Sequence, residues 1–333
     1  MTEMHHEEPL LYVPHGDGHL CLSVNEGLKT DRRGDYRWLD PGKIYLLDNG
    51  RLEETTMLEG DCLTLIPTLS CNEGCLMCPQ RKGETDIGRR SMLVAQAIDF
   101  SRIRQVYITG GEPYTDPALL EAIVALIPSD IEVSILTNGT LDLLGSSFLL
   151  RECLRFCIPL YASISDIHDR IAGYRGFYRT ITNLFHLGNN GAIIELRNVI
   201  TKENYKNMPL YAHYVYNNLP FVANVAFMGI ELMAEAKDNT DDLWIEPGEY
   251  SPFLIEAVSY LTGSGIHCDL FNMPLCTLPP ELRQFYVASI SPWKRSYSAA
   301  CGGCGLKARC GGMFFSSMRS YERSISPSIA SGE

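Results

Sequence analysis

Between residues 61 and 264 the chain alternates short apolar runs with segments of helical periodicity, a pattern that few folds accommodate. The strand-like runs are 63–69, 105–109, 132–137, 158–164, 192–200 and 222–228. The helical segments are 91–100, 117–127, 141–153, 176–187, 205–218 and 252–261. Strands that alternate with helices predict a parallel sheet with the helices packed outside it. Six such units fall short of a complete eight-unit barrel, so the expected fold is α/β, a partial (β/α)6 TIM-like barrel. Reactive groups in such folds sit on the loops after the C-terminal ends of the strands.

The flanks read differently. Residues 1–60 form an N-terminal extension with short strands at 10–13, 19–24 and 43–47, the first two divided by Gly16-Asp17-Gly18. His5 and His6 read as part of a disordered tip rather than as a metal pair. The barrel occupies 61–264. Residues 265–315 open with one more strand at 265–272 and become rich in Pro, Gly and Cys, as a metal-organised region would. Residues 316–333 are Ser-rich and read as a flexible tail.

Charge and hydropathy remove whole classes of function. A net charge of −12 repels phosphate backbones, so no nucleic-acid partner is expected. No run of about 18 apolar residues crosses a membrane. The N-terminus lacks a basic region followed by an apolar run, so it is no secretory signal. The expected compartment is the cytoplasm, where thiols stay reduced. The chain has 12 cysteines. Seven of them fall in two spaced groups, which points to metal rather than disulfides.

Cys71, Cys75 and Cys78 form the first group, spaced CxxxCxxC in the loop after the first strand. Thiolates are soft ligands for iron, and one loop can wrap three of them around a cubane cluster. Three ligands for four irons leave one iron open to an amine and a carboxylate from outside. Gly74 lets the loop turn tightly and Pro79 stiffens its exit. Zinc would want a fourth ligand, and none lies nearby in sequence.

This spacing, at this place in a six-unit barrel, resembles the radical S-adenosylmethionine (SAM) superfamily. The resemblance implies a SAM-cleaving 4Fe-4S cluster on Cys71, Cys75 and Cys78, with SAM as its ligand. Met77 stands where many members carry an aromatic residue, and its backbone would contact the adenine. Gly110, Gly111, Glu112 and Pro113 are similar to the GGEP motif that holds the SAM amino group. Asn138, in a Thr-Asn-Gly segment, would line the cavity or simply make an Asn-Gly turn. Ser163 and Ser165 match the ribose-binding segment, Ser165 standing where Asp is common; a solvated loop is the other reading. Arg197 would meet the SAM carboxylate or pair with Glu195. Met228 would pack on the adenine or in the core. Tyr161, Glu231 and Asp269 lie near strand ends and read as structural.

The second group joins Cys276 to the CxxC-x5-C block of Cys301, Cys304 and Cys310. Four thiolates close either a tetrahedral zinc or a cubane cluster, and spacing alone does not choose. After a radical SAM core the block resembles the SPASM and twitch extensions, which implies one auxiliary 4Fe-4S cluster. Cys268 reads as a buried thiol, and Cys21, Cys62, Cys153 and Cys157 as bystanders. Residues 271–276, 289–294, Tyr297 and the cysteine block together resemble the C component of the His-Xaa-Ser system maturases. That likeness implies a ribosomally made precursor peptide as substrate and a second radical SAM protein as partner. An electron donor such as flavodoxin or ferredoxin would complete the system. The implied activity is reductive cleavage of SAM to a 5′-deoxyadenosyl radical, which takes a hydrogen from the peptide. Two other readings remain: radical chemistry on a small molecule or nucleotide, and a non-catalytic, metal-stabilised adaptor that binds the peptide.

Overall fold

A computed structural model describes residues 9–15, 18–24, 27–32, 40, 42–48, 51–80 and 87–327. His5, His6, the Gly16-Asp17 part of the first turn and residues 328–333 of the expected tail lie outside the described residues. The chain forms two compact units. The first comprises Met1–Cys71, Arg81–Thr137 and Leu141–Phe156, and the second Asn72–Gln80, Asn138–Thr140 and Cys157–Glu333.

The first unit opens with a five-stranded antiparallel sheet. Its strands are β1 (Leu10–His15), β2 (Gly18–Ser23), β3 (Gly27–Arg32), β4 (Tyr45–Asp48) and β5 (Arg51–Glu54), in the order β3-β2-β1-β4-β5. Alternation along β1 sends Leu11 and Val13 into the core, while Tyr12 and Cys21 form a small cluster with Leu10, Tyr45, Leu47 and Leu52. Next come the short β6 (Leu58–Glu59), then β7 (Cys62–Leu65), β8 (Gln105–Ile108) and β9 (Glu132–Leu136). β6 runs antiparallel to β7, while β7, β8 and β9 are parallel. Leu63, Val106 and Val133 lie in one row and Leu65, Ile108 and Ile135 in the next, all fully buried.

Helices α1 (Ile87–Ala97) and α2 (Pro117–Leu126) also belong to this unit. The Ser91 hydroxyl of α1 donates to Ile66 O at 3.0 Å and accepts from Ile66 N at 2.8 Å, tying the helix to the end of β7. Asp116 caps α2 by accepting from Leu119 N, with Pro117 at the first helical position. The helix expected over 141–153 reduces to a 3₁₀ turn at Ser147–Leu150. Asp142 accepts from Leu144 N, and Gly145-Ser146 follows, so local turn bonds displace the helical ladder.

Strand β10 (Leu154–Pro159) begins in the first unit and ends in the second. Pro159 supplies no N–H, so the strand expected to reach residue 164 stops there, and residues 160–164 are loop. The second unit continues with α3 (Ser165–Ala172), α4 (Phe177–Asn189), β11 (Ile193–Val199), α5 (Met208–Asn218) and β12 (Asn224–Met228). Then follow α6 (Glu235–Asp238), α7 (Thr240–Leu243), α8 (Pro247–Gly263) and β13 (His267–Phe271). Helix α3, absent from the sequence expectation, ends on Gly173 in the left-handed conformation. Helix α8 starts at Pro247, five residues before the expected Pro252, which lies inside it.

β11, β12 and β13 are parallel, in the registers Leu196↔Val225↔Cys268 and Asn198↔Phe227↔Leu270. Tyr211 of α5 packs edge-on against Phe227, so this face is the one covered by helix. The opposite face carries Glu195, Arg197, Asn224 and Asp269. In strand order the larger sheet reads β13-β12-β11-β10-β9-β8-β7-β6, the mixed α/β architecture with parallel strands that the alternation predicts.

The chain ends with the two-stranded pair β14 (Arg295–Ser296) and β15 (Met313–Phe314) and with α9 (Met318–Tyr321). Here the structure departs from the expected flexible tail, because Ser317 and Tyr321 are buried. No helix among the described residues is long and apolar enough to cross a membrane.

Candidate active site

In the first unit the backbone after β7 lies against the end of β8. Thr109 N donates to Leu65 O, Gly111 N to Thr68 O and Glu112 N to Ser70 O, at 3.0, 2.9 and 2.8 Å. This contact explains the two glycines. A Cβ on Gly110 would stand 2.2 Å from Thr68 O, and one on Gly111 2.2 Å from Ser70 O. Gly110 also has a φ of +138°, which side chains disfavour. The Gly-Gly pair therefore lets one backbone lie on the stem that leads to Cys71.

Glu112 is 0% exposed. Its Oε1 accepts from Tyr114 N at 3.0 Å and from Thr137 Oγ1 at 2.8 Å. The carboxylate caps the 3₁₀ turn that Pro113 opens and joins it to the end of β9.

Cys75 and Cys78 lie in the second unit, on a loop whose backbone is fixed by its neighbours. Gly74 N and Leu76 N donate to Ala172 O and Ile171 O, carbonyls that α3 leaves unpaired at its end. Gly173 allows this approach, since a Cβ there would lie 2.2 Å from Gly74 O. Met77 is buried with Tyr161, Ile171, Ile230 and Leu232, and Asn239 Nδ2 donates to Leu76 O. Asn72 and Asn138 join the loop to the turn after β9. Asn138 Nδ2 donates to Asn72 Oδ1, and Asn72 Nδ2 donates to Thr140 Oγ1. The Asn138-Gly139 turn is gripped in turn by Thr180 Oγ1 and Asn183 Nδ2 of α4. Asn138 therefore makes the expected turn and also hydrogen-bonds the cysteine loop.

No cysteine of the chain is in a disulfide. Burial, reinforced by the Glu73 carboxylate, pushes the Cys75 thiol far above its ordinary range. Such a thiol is costly to ionise alone, and a coordinated cation removes that cost. Soft thiols on a rigid loop with no covalent partner are the donor set that an iron–sulfur cluster takes.

Tyr161 and His168 were not marked as functional by the sequence. The Tyr161 hydroxyl lies 4.0 Å from Cys75 Sγ, and its ring stacks on His168. Beyond it, Asn204 Nδ2 donates to Tyr161 O and Val199 O, and Asn198 Nδ2 donates to Leu160 O and Tyr161 O. These asparagines hold the loop after β10 against the end of β11. Ser163 directs both its N–H and its hydroxyl to Asn207 Oδ1, at 2.9 and 3.1 Å. Ser165 is the first residue of α3. Arg197 Nε donates to Glu195 Oε1 at 2.8 Å, the ion pair that was one of its two readings. Met228 closes β12 and is partly buried.

The second cysteine group lies wholly within the second unit. Cys276, Cys301, Cys304 and Cys310 line one small cavity. Cys310 Sγ accepts from Leu275 N at 3.4 Å and from Gly312 N at 3.3 Å. Gly312 has a φ of +69°, and a Cβ there would stand 2.5 Å from Ser296 O. Tyr286 and Tyr297 hold the segment after the 3₁₀ turn, by hydrogen bonds with Gly311 N and Cys310 O. Among the described residues, no three His, Cys, Asp or Glu side chains converge on a single-ion position. Four thiols that line a shared cavity, with two N–H groups aimed at Cys310 Sγ, fit either a cubane cluster or a tetrahedral zinc.

Residues 65–204 match the Radical SAM superfamily. No curated protein matches the chain. Among solved structures it is similar to Streptococcus suis SuiB bound to S-adenosylmethionine, with 16% identity and a TM-score of 0.52 over 67% of this chain and 53% of that one. It is also similar to Streptococcus suis SuiB bound to precursor peptide SuiA, with 15% identity and a TM-score of 0.51 over 64% and 49%. The chain thus spans about half the length of these structures. Residues 65–204, which hold the first cysteine group and the loops around it, are a Radical SAM superfamily domain.

Proposed function

We propose that this chain is a radical SAM enzyme that modifies a peptide. The observation that carries this reading is the first cysteine loop. Cys71, Cys75 and Cys78 follow β7 inside the matched domain, on a loop fixed by its backbone and its apolar residues. These three thiols would hold a 4Fe-4S cluster. Once reduced by an outside donor, such a cluster would supply the electron for cleavage of bound SAM to methionine and a hydrogen-abstracting 5′-deoxyadenosyl radical.

The chain's own residues bind, orient and exclude water. Gly110, Gly111 and Pro113 shape the loop that would receive the SAM amino group, and Glu112 keeps that loop in register through Thr137 and Tyr114. Ser163, positioned by Asn207, and Ser165 would face the ribose. The Met77 backbone and Met228 would line the adenine side, and Asn138 would line the cavity. Arg197 offers its guanidinium to the SAM carboxylate while Glu195 holds its Nε.

A peptide substrate is supported by two observations. The fold is like that of SuiB, which has been solved with a precursor peptide. The second cysteine group, at Cys276, Cys301, Cys304 and Cys310, lines one cavity of a kind that suits an auxiliary 4Fe-4S cluster. The finer reading is a maturase of the His-Xaa-Ser type, working in the cytoplasm with a second radical SAM protein and a flavodoxin or ferredoxin donor.

Co-expression with a His-Xaa-Ser precursor, followed by peptide mass spectrometry, tests the substrate. The expected outcome is a mass change that disappears with Cys75→Ala. Cys301→Ala is expected to keep SAM cleavage and to lose peptide modification. An unmodified peptide beside active SAM cleavage would move the substrate to the small-molecule class.

A further inference from the structure

The segment read from sequence as a flexible tail lies against the second cysteine group. Three contacts hold it there. The Ser317 hydroxyl donates to Ile230 O and accepts from Leu232 N, both at 3.0 Å. Tyr321 is buried, with its ring edge-on to Trp244 at 4.8 Å. The Ser324 hydroxyl donates to Glu246 Oε2 at 2.6 Å. Past these anchors the chain reaches the cavity, and Ile325 and Pro327 line it together with the four cysteines. Two main-chain donors, Leu275 N and Gly312 N, are aimed at Cys310 Sγ in the same cavity.

We propose that residues 325–327 are the last wall of the second cysteine group and make it a closed site. A group held by the four thiols is then walled off from exogenous ligands, the peptide substrate included. The spacing of the cysteines carries no hint of this wall, because it comes from beyond the last of them. The wall is independent of which metal the thiols hold. Only its consequence for a cluster rests on the function proposed above.

The physical argument is one of cover and of cost. Ile325 brings apolar surface over sulfur, and Pro327 stiffens the chain where it crosses the cavity. Backbone N–H groups aimed at thiolate sulfur stabilise its charge without admitting water. The anchors at Ser317, Tyr321 and Ser324 lie upstream of the wall, so the wall can be altered without removing them.

Alkylation of the metal-free full-length chain with iodoacetamide, with each cysteine followed by mass spectrometry, tests the proposal directly. Ile325→Gly opens the cover and leaves the three anchors in place. It is expected to speed modification of Cys276 roughly tenfold while leaving Cys153 unchanged, as local opening free energies would allow. A chain ending at Ser324 keeps all three anchors and is expected to act in the same direction. In the metal-loaded protein, both changes are expected to hasten metal release from the second group to a chelator. Equal Cys276 rates in the parent chain and both variants would overturn the wall. Iron and sulfide analysis of the chain with Cys71, Cys75 and Cys78 replaced by Ala tests the auxiliary cluster separately, so the two readings fail independently.

Discussion

His168 is 2% exposed, and its Nδ1 accepts the backbone N–H of Tyr161 at 3.2 Å. Burial holds its pKa down at about 4, against a smaller opposing pull from Asp169. The imidazole is neutral in the fold, while in the unfolded chain it takes a proton near its ordinary pKa of 6.5. Its contribution is thus complete above pH 6.5 and is lost as the pH falls toward 4. Between pH 7 and pH 5 the loss is about 2 kcal/mol. Urea unfolding at the two pH values checks this, and His168→Gln is expected to flatten the difference. At this same scale the sequence was most legible where chemistry is local. The cysteine spacing is local, and so is the Glu195–Arg197 pairing, two residues apart on one face of a strand. Tyr161 beside Cys75 was not legible, because 86 residues separate them and no periodicity links the two.

The first cysteine loop and helix α3 hold one another. The helix ends where Gly74 N and Leu76 N reach its last carbonyls, and Gly173 makes room for that approach. Gly173→Ala would put a Cβ 2.2 Å from Gly74 O at a φ of +62°. The expected cost is about 2 kcal/mol or more, with a displaced loop. Thermal unfolding together with iron content after reconstitution measures both effects, and a fully iron-loaded variant of unchanged stability would contradict the coupling. Gly111→Ala is expected to act on the other stem of the loop, since its Cβ would meet Ser70 O at 2.2 Å. Element positions were legible for β8, β9, β11 and α4, where alternation or amphipathic period is clean. They were not legible for residues 141–153, where side-chain turns at Asp142 and Ser146 compete with an apolar pattern. Helix α3 was hidden for the opposite reason: its eight residues, Ser165–Ala172, follow directly on an apolar run that reads as strand.

Across the whole molecule the strand–helix alternation carried the fold class, and the motifs fell where that class puts reactive groups. Cys71, Gly110, Asn138 and Ser163 follow the ends of β7, β8, β9 and β10. The C-terminal segment was the main departure. Its serines read as a solvated tail, yet Ser317 and Ser324 are anchors and Tyr321 is core. Composition registers the serines and is blind to the partners 78 to 87 residues away that satisfy them. Anaerobic reconstitution with iron and sulfide, followed by SAM and dithionite, is the most direct test of the central claim. The expected product is 5′-deoxyadenosine, formed by the parent chain and absent with Cys75→Ala. A chain that holds its full iron complement at Cys71, Cys75 and Cys78 and forms no 5′-deoxyadenosine would contradict it.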